Sequence, residues 1–517
     1  MAARIRKLIL HPIIFAVYPI LALMAHNLRQ ISPNAGLRSL AVSVAAALIL
    51  WGLLRLVFKS WSKAAVLVSL ALVLFYSYGQ VYDFLHHNPI LGADLGRHRW
   101  LLTTWSLLFL LGLWLIVRKM RDGTQVTQML NLVGLVLLIF PAYQFTAHAV
   151  RMEQVQTAPQ AVSEIPYGLS LPAGPLPDIY YIILDGYPRQ DVIEKWIGID
   201  NTPFLDELRA MGFYVAECSQ SNYAQTELSL ASTFNFNYLD QLGENFVPGN
   251  VDRYELLPLI HHSQARQILS SMGYEMVAFE TGHPWIDVTD AEHYYSSVTR
   301  VLSADETWLS VNGFELMLIN SSMGMVVTDT INRLAGEMAD LEYPYKVARE
   351  RVLYTLNMLN IVPTAVPGPK FVYAHIVSPH FPILFDAQGE YALVGMGEDD
   401  ETYAQAYQGQ LTYVNGRILA ILNTIITVSP TPPIIILQSD HGFERHIEED
   451  RTFNLAALYL PDGGDAGLYP QITPVNTFRI IFNTYFGGSF ELLEDRAYFS
   501  DYPDPYNFVP VPNNCVP

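Results

Sequence analysis

The chain has 517 residues, a hydrophobic fraction of 51% and a formal net charge of −19. That length provides for more than one domain and a large core, and the acidic balance excludes a broad nucleic-acid-binding surface, which needs a basic face. The two cysteines, Cys218 and Cys515, exclude a disulfide framework and a cysteine-based zinc site, and leave one bridge or two thiols open.

Apolar residues crowd the first 150 positions, and five segments there are apolar over about 20 residues each, enough to cross a bilayer as helices. They are Leu8–Asn27, Leu37–Phe58, Ala64–Leu85, Trp100–Val117 and Met129–His148. Buried helices of a soluble protein do not explain them, because five nearly charge-free stretches in succession leave nothing polar to cover them. The third is the weakest, with Tyr76, Tyr78 and Gln80 inside it. Basic residues gather before the first span (Arg4, Arg6, Lys7), around the second-to-third turn (Arg55, Lys59, Lys63) and after the fourth (Arg118, Lys119, Arg121). By the positive-inside rule the N-terminus is cytoplasmic and everything after His148 lies outside. Residues 151–176 are Pro-rich and extended, a tether between a membrane domain, 1–150, and an outer domain, 177–517.

The outer domain alternates strand-like and helix-like segments. Asp178–Leu184 reads as a buried strand, Asn201–Gly212 as a helix, Phe213–Ala216 as a short strand, Ser263–Met272 as a helix and Tyr274–Phe279 as a strand. Phe371–Ile376, Pro433–Gln438 and Ala456–Leu460 complete the strands, with a long amphipathic helix over Thr402–Thr427. This alternation predicts an α/β sandwich with a mainly parallel central sheet.

Two of these strands stop at a carboxylate next to Gly: Ile-Ile-Leu184-Asp185-Gly186 and Leu437-Gln-Ser-Asp440-His441-Gly442. Ligands gather at the carboxyl ends of strands in such sheets, so Asp185, Asp440 and His441 form a candidate hard metal site with one imidazole. Thr226, in Ser221–Ser232, reads as the first turn of a helix, where free N–H groups favour a phosphoryl oxygen and an alkoxide. Taken alone, a helix-capping role for Thr226 is the simpler reading.

With these motifs on one chain, the sequence resembles the alkaline phosphatase superfamily in its sulfatase-like branch, notably membrane-anchored lipoteichoic acid synthases and phosphoethanolamine transferases. The resemblance rests on Leu184-Asp-Gly186, Ser221 to Ser232, Ser378-Pro-His380 and Ser439-Asp-His-Gly442, and covers the membrane half and the outer domain. It implies an alkaline phosphatase-like α/β/α sandwich beside a five-helix transmembrane domain in a bacterial cytoplasmic membrane, with the catalytic domain extracytoplasmic. It further implies that Asp185, Thr226, Asp440 and His441 hold one divalent metal, Mn²⁺ or Zn²⁺, that Thr226 is also the nucleophile, and that His380 contacts the phosphoryl group or protonates the leaving oxygen.

His375 is read first as a core histidine at a strand end, and His446 either as a further ligand or as a surface residue. Val475-Asn-Thr-Phe-Arg479 is similar to a segment of bacterial members, without a role that the sequence supplies. Cys218-Ser-Gln-Ser-Asn222 lacks the Pro and Arg that a formylglycine sulfatase needs. Asn415 stands where two-metal relatives often place an Asp. The function so implied is transfer of a phosphoglycerol- or phosphoethanolamine-type headgroup from a membrane phospholipid to a glycan or lipid acceptor, through a phosphothreonine. The rivals are a sulfatase-like hydrolase (phosphodiesterase or sulfuric-ester hydrolase) and a non-catalytic membrane-anchored module.

Overall fold

The structure, a computed structural model, describes residues 8–28, 31, 34–88, 97–121, 123–156, 167–172, 174–297, 311–335, 342–443, 445 and 449–515. The chain divides into two compact units, one of residues 1–153 and 304–344, the other of 154–303 and 345–517.

The first unit is helical: His11–His26, Leu37–Phe58, Trp61–His87, His98–Arg118 and Thr124–Gln156. The last four of these are long and apolar enough to cross a membrane, with mean hydropathies of 2.2, 1.8, 2.0 and 1.8. They turn large apolar side chains such as Ile49, Leu56, Leu107, Leu132 and Ile139 outward, as a bilayer-facing surface does. The first helix is 16 residues, shorter than the expected Leu8–Asn27, and carries Pro19 inside it. The doubtful third span is continuous because its polar groups are satisfied inside the bundle. The Tyr76 hydroxyl donates to Ser43 Oγ at 2.7 Å, and the buried Tyr78 hydroxyl meets His98 Nδ1 at 2.9 Å.

Residues 304–344, which the sequence placed within the outer stretch 177–517, belong to this helical unit. Helices Gly313–Asn320 and Gly324–Ala335 form here. The first opens with a capping box of Asn312 and Glu315, and Glu315 also pairs with Arg38. Phe314 is buried among Ile20, Met24 and Ile31, and Met323 N–H donates to Phe75 O at 2.8 Å. Of the expected tether, 151–156 continue the helix Thr124–Gln156, and 157–166 lie outside the described residues.

The second unit is built on a seven-stranded sheet. Its strands are β1 (Ile179–Leu184), β2 (Tyr214–Val215), β3 (Glu275–Phe279), β4 (His293–Tyr295), β5 (Lys370–Ile376), β8 (Ile434–Gln438) and β9 (Ala456–Tyr459), in the order β2-β9-β8-β1-β5-β3-β4. β9 pairs antiparallel with both β2 and β8, and the other pairs in this sheet are parallel. β6 (Ile383–Phe385) and β7 (Tyr391–Val394) form one hairpin, and β10 (Ala497–Phe499) and β11 (Val509–Val511) another; the sequence reading missed both pairs and β4.

β1 is apolar throughout because both its faces are covered. Ile179, Tyr181 and Ile183 pack with helices Thr226–Phe234, Gln264–Ser271 and Pro474–Tyr485, while Tyr180, Ile182 and Leu184 pack with Thr202–Ala210, Tyr343–Leu359 and Asp400–Val428. This is the expected α/β/α sandwich. The helix Asp400–Val428 is itself long and apolar enough to cross a membrane, yet Tyr407, Leu411, Ile418 and Ile425 bury one face of it in this core.

Two covalent or ionic ties brace the unit. Cys218 and Cys515, left open by the sequence, form a disulfide that joins positions 297 residues apart. At the amino ends of β1 and β5, buried Lys370 Nζ pairs with buried Asp178. Removing one partner leaves a buried charge alone, so Asp178→Ala should destabilise by about 3–5 kcal/mol. The joint change Asp178→Leu with Lys370→Met should cost clearly less. Urea unfolding of the variants followed by fluorescence checks both, and equal losses would contradict the pairing argument.

Candidate active site

The sheet register makes the site. Ile183 pairs with His375 on one side and Gln438 on the other, so β1, β5 and β8 end level and release their next residues at one edge. Asp185 and Asp440 emerge there, 4% and 1% exposed. His375 Nε2 lies 3.1 Å from Asp185 Oδ2, and His441 Nε2 lies 3.4 Å from Asp185 Oδ1 and 3.6 Å from Asp440 Oδ2. His441 Nδ1 is 2.9 Å from Gly442 O, which fixes that nitrogen as the N–H and turns Nε2 toward the carboxylates. The His380 N–H donates to Asp185 O at 3.0 Å, and its ring meets His441 edge-on at 6.0 Å. Gly186 makes this turn at φ +66°, a conformation that favours glycine, with the His380 and His441 rings packed close above it.

Burial alone would push the Asp185 carboxyl up, but the His380 charge and the hydrogen bond from His375 hold it well below the usual carboxylate range. Burial likewise pushes His375 down, and its hydrogen bond to Asp185 outweighs this and raises it. His375 is thus buried near the end of β5, as its reading as a core histidine has it, and its partner there is the candidate ligand Asp185.

Two ligand sets have atoms within 4.8 Å of one another: Asp185, His380 and His441; and Asp185, His375 and Asp440. Asp185 Oδ1 and Asp440 Oδ2 are buried without a hydrogen-bond partner. Orphaned anionic oxygens beside an imidazole lone pair fit a divalent cation, and an O/N donor set suits Mn²⁺ or Zn²⁺ alike.

Thr226 is the first residue of the helix Thr226–Phe234, and Gln225 is its N-cap. Its leading segment is laced to the loop after β8. The Asn454 amide donates to Ser439 O at 2.6 Å and accepts from Ser219 Oγ at 2.9 Å, and Ser221 N–H donates to Thr452 O at 2.7 Å. On its other side Gln225 Nε2 donates to Ser500 O at 2.7 Å. The Val475–Arg479 motif belongs to this scaffold: Val475 N–H donates to Asn222 Oδ1 at 2.8 Å, and Arg479 Nε to Phe236 O at 2.8 Å.

Asn415 stands apart from the metal-ligand sets. It accepts from Tyr187 Oη at 2.9 Å and donates to Asn201 Oδ1 at 2.9 Å, while Asn201 donates back to Tyr187 Oη at 2.8 Å. Asn415→Asp should leave metal stoichiometry unchanged and destabilise by about 1 kcal/mol, since a carboxylate cannot donate to Asn201. Elemental analysis with a melting curve reads both. His446 lies outside the described residues. The sequence reading also missed the turn after β3, which emerges beside β5 at the same sheet edge. Its signal was present: β3 too ends at an acid followed closely by Gly and His, Glu280-Thr-Gly282-His283.

A family model described as Sulfatase matches residues 177–480, more than half of the chain. The chain belongs to the sulfatase family. Within the alkaline phosphatase superfamily, sulfatase-family members are hydrolases and transferases, so this is an enzyme of that kind. No curated protein matches the chain. Among solved structures it is similar to the C-terminal periplasmic domain of EptC from Escherichia coli in complex with Zn, at 11% identity and a TM-score of 0.44, covering 67% of this chain and 95% of that one. It is also similar to the integral membrane lipooligosaccharide phosphoethanolamine transferase A of Neisseria meningitidis, at 12% identity, TM-score 0.37, 94% and 96% coverage. A third is the phosphonate monoester hydrolase of Agrobacterium radiobacter, at 14% identity, TM-score 0.36, 63% and 80% coverage.

Proposed function

We propose that this sulfatase-family protein transfers a phosphoglycerol- or phosphoethanolamine-type headgroup from a membrane phospholipid to a cell-envelope glycan or lipid, through a phosphothreonine at Thr226. The observation that carries this reading is the pair of orphaned buried carboxylate oxygens, on Asp185 and Asp440, beside His441 and His380 at a sheet edge laced to the Thr226 segment. Asp185, Asp440 and His441, with the Thr226 hydroxyl, would hold one divalent cation. When bound, the cation lowers the pKa of a hydroxyl and offsets charge on a phosphoryl oxygen.

The chain's own residues then divide the work. The Thr226 oxygen bonds to phosphorus as the bond to the diacylglycerol oxygen breaks, and His380 gives that oxygen its proton. In the second half an acceptor hydroxyl attacks phosphorus, its proton passes to His380, and the Thr226 oxygen leaves. The free N–H groups opening the Thr226 helix favour negative charge at that oxygen in both halves. The apolar helices of the first unit support a lipid donor. The Cys218–Cys515 disulfide and the distribution of Lys and Arg support an extracytoplasmic catalytic unit in the cytoplasmic membrane.

If water takes the acceptor's place, the same residues make a phosphodiesterase, and membership of a sulfatase family favours keeping that reading. Intact-mass analysis of the full chain, incubated with Mn²⁺ or Zn²⁺ and mixed bacterial phospholipids, separates the two. A headgroup-phosphate adduct on Thr226 that is discharged by an added glycan or lipid acceptor supports transfer. Headgroup release with water as the sole acceptor supports hydrolysis, and neither product would count against phosphoryl chemistry on lipids.

A further inference from the structure

Beside the metal-ligand cluster the sheet edge carries a cation that no part of the mechanism above uses. β3 pairs with β5, so the turn Glu280-Thr281-Gly282-His283 emerges next to His375. The helix Tyr343–Leu359 places Arg351 on this turn. Its guanidinium packs against Gly282, where a Cβ would come within 2.2 Å of Nη1 and 2.5 Å of Cζ, and Gly282 has φ +88°. Arg351 Nε faces Glu280 Oε1 at 3.6 Å, beyond hydrogen-bond distance. The other Glu280 oxygen is held by Ser296 Oγ at 2.7 Å and Ser297 N–H at 3.0 Å.

Among the described residues the Arg351 guanidinium makes no hydrogen bond, although its side chain is only 20% exposed and Nε is fully buried. A buried Nε without an acceptor is unfavourable in the free protein, and the two Nη groups of the fork are left to meet solvent or an anion. His283 is exposed at the same turn, so the guanidinium against Gly282 and the strand end that carries His375 share one sheet edge.

We infer that Arg351, seated by Glu280 and Gly282 and accompanied by His283, is the anion-binding subsite of this centre, taking the non-bridging oxygens of a tetrahedral phosphoester. The planar fork matches two such oxygens as a lysine would not. The inference rests on the phosphoryl-transfer reading and names the group that holds the phosphate during it.

The test uses the full chain in detergent, loaded with Mn²⁺ or Zn²⁺, with inorganic phosphate as the calorimetric probe and bis(4-nitrophenyl) phosphate as the turnover probe. Arg351→Ala should weaken phosphate binding by about tenfold or more and raise KM more than it lowers kcat, with metal content unchanged. Arg351→Lys should recover part of the loss, and millimolar methylguanidinium should restore binding to Arg351→Ala. Gly282→Ala, which displaces the fork while keeping its charge, should mimic the loss. Phosphate affinity unchanged in Arg351→Ala would overturn the subsite and leave phosphoryl transfer standing. Metal lost together with phosphate in both variants would make the role structural and overturn it as well. A metal-loaded wild type that neither binds phosphate nor turns over the diester would remove the underlying reading, and the subsite with it.

Discussion

Thr226→Ala should lower kcat/KM for any phosphoester substrate by roughly 10⁶-fold, the loss seen when a nucleophile is deleted from a catalytic unit. The fold should barely notice. Thr226 occupies the first helical position and Gln225 the cap, so the hydroxyl closes no helix-capping bond, and Ala is the best helix former at little structural cost. That separation makes the kinetic effect interpretable. Thr226→Ser keeps the oxygen, loses only the methyl that stiffens χ1, and should retain measurable turnover. The measurement is diester hydrolysis by both variants at matched metal content, with circular dichroism as the control. An Ala variant that turns over at the wild-type rate would remove Thr226 from the chemistry and return it to a capping-region role.

The second large effect concerns Asp440. Its Oδ1 accepts from Gly186 N–H at 3.3 Å, and its Oδ2 is buried without a partner. Asp440→Asn is nearly isosteric and keeps that acceptor, but removes one of the two buried carboxylates at the edge. Metal affinity should fall by more than the roughly 10–100-fold that loss of an outer-shell partner costs, and turnover with it. The melting temperatures should then cross over. Metal at about 100 times Kd should stabilise wild type by about 2.7 kcal/mol and leave Asp440→Asn unmoved. After chelation the order should close or reverse, because close carboxylates repel once no cation lies between them. Since the ligands bind deprotonated, the wild-type gain should also shrink on acidification. Melting curves with Mn²⁺, with Zn²⁺ and with EDTA test all of this; a normal metal response in Asp440→Asn would sink the ligand assignment.

Local pattern was enough for much of the protein. The apolar runs at 37–58 and 129–148 lie in helices, the form in which a mainly apolar stretch satisfies its own backbone over a bilayer's thickness. The runs before Asp185 and Asp440 are strands whose uninterrupted apolar character follows from burial on both faces. The acid-Gly stop after each strand marked the site edge, and Asp185, His380, Asp440 and His441 do converge there.

Tertiary structure alone decided the remainder, for one physical reason: contacts between residues far apart in sequence are fixed by register and packing, which leave no local signature. His375 looked like core and is buried, and the level ends of β1 and β5 set it 3.1 Å from Asp185. Asn415 looked like a degraded ligand until its amide closed a ring with Tyr187 and Asn201. Residues 304–344 have the composition of an ordinary amphipathic segment, and tertiary contacts such as the Arg38–Glu315 pair, the seating of Phe314 and the Met323–Phe75 hydrogen bond assign them to the helical unit. Cys218 and Cys515 could not be paired across 297 residues by spacing. Arg351 lies 68 positions beyond His283 in the chain, yet it meets the His283 turn because a helix and a strand end pack at one edge.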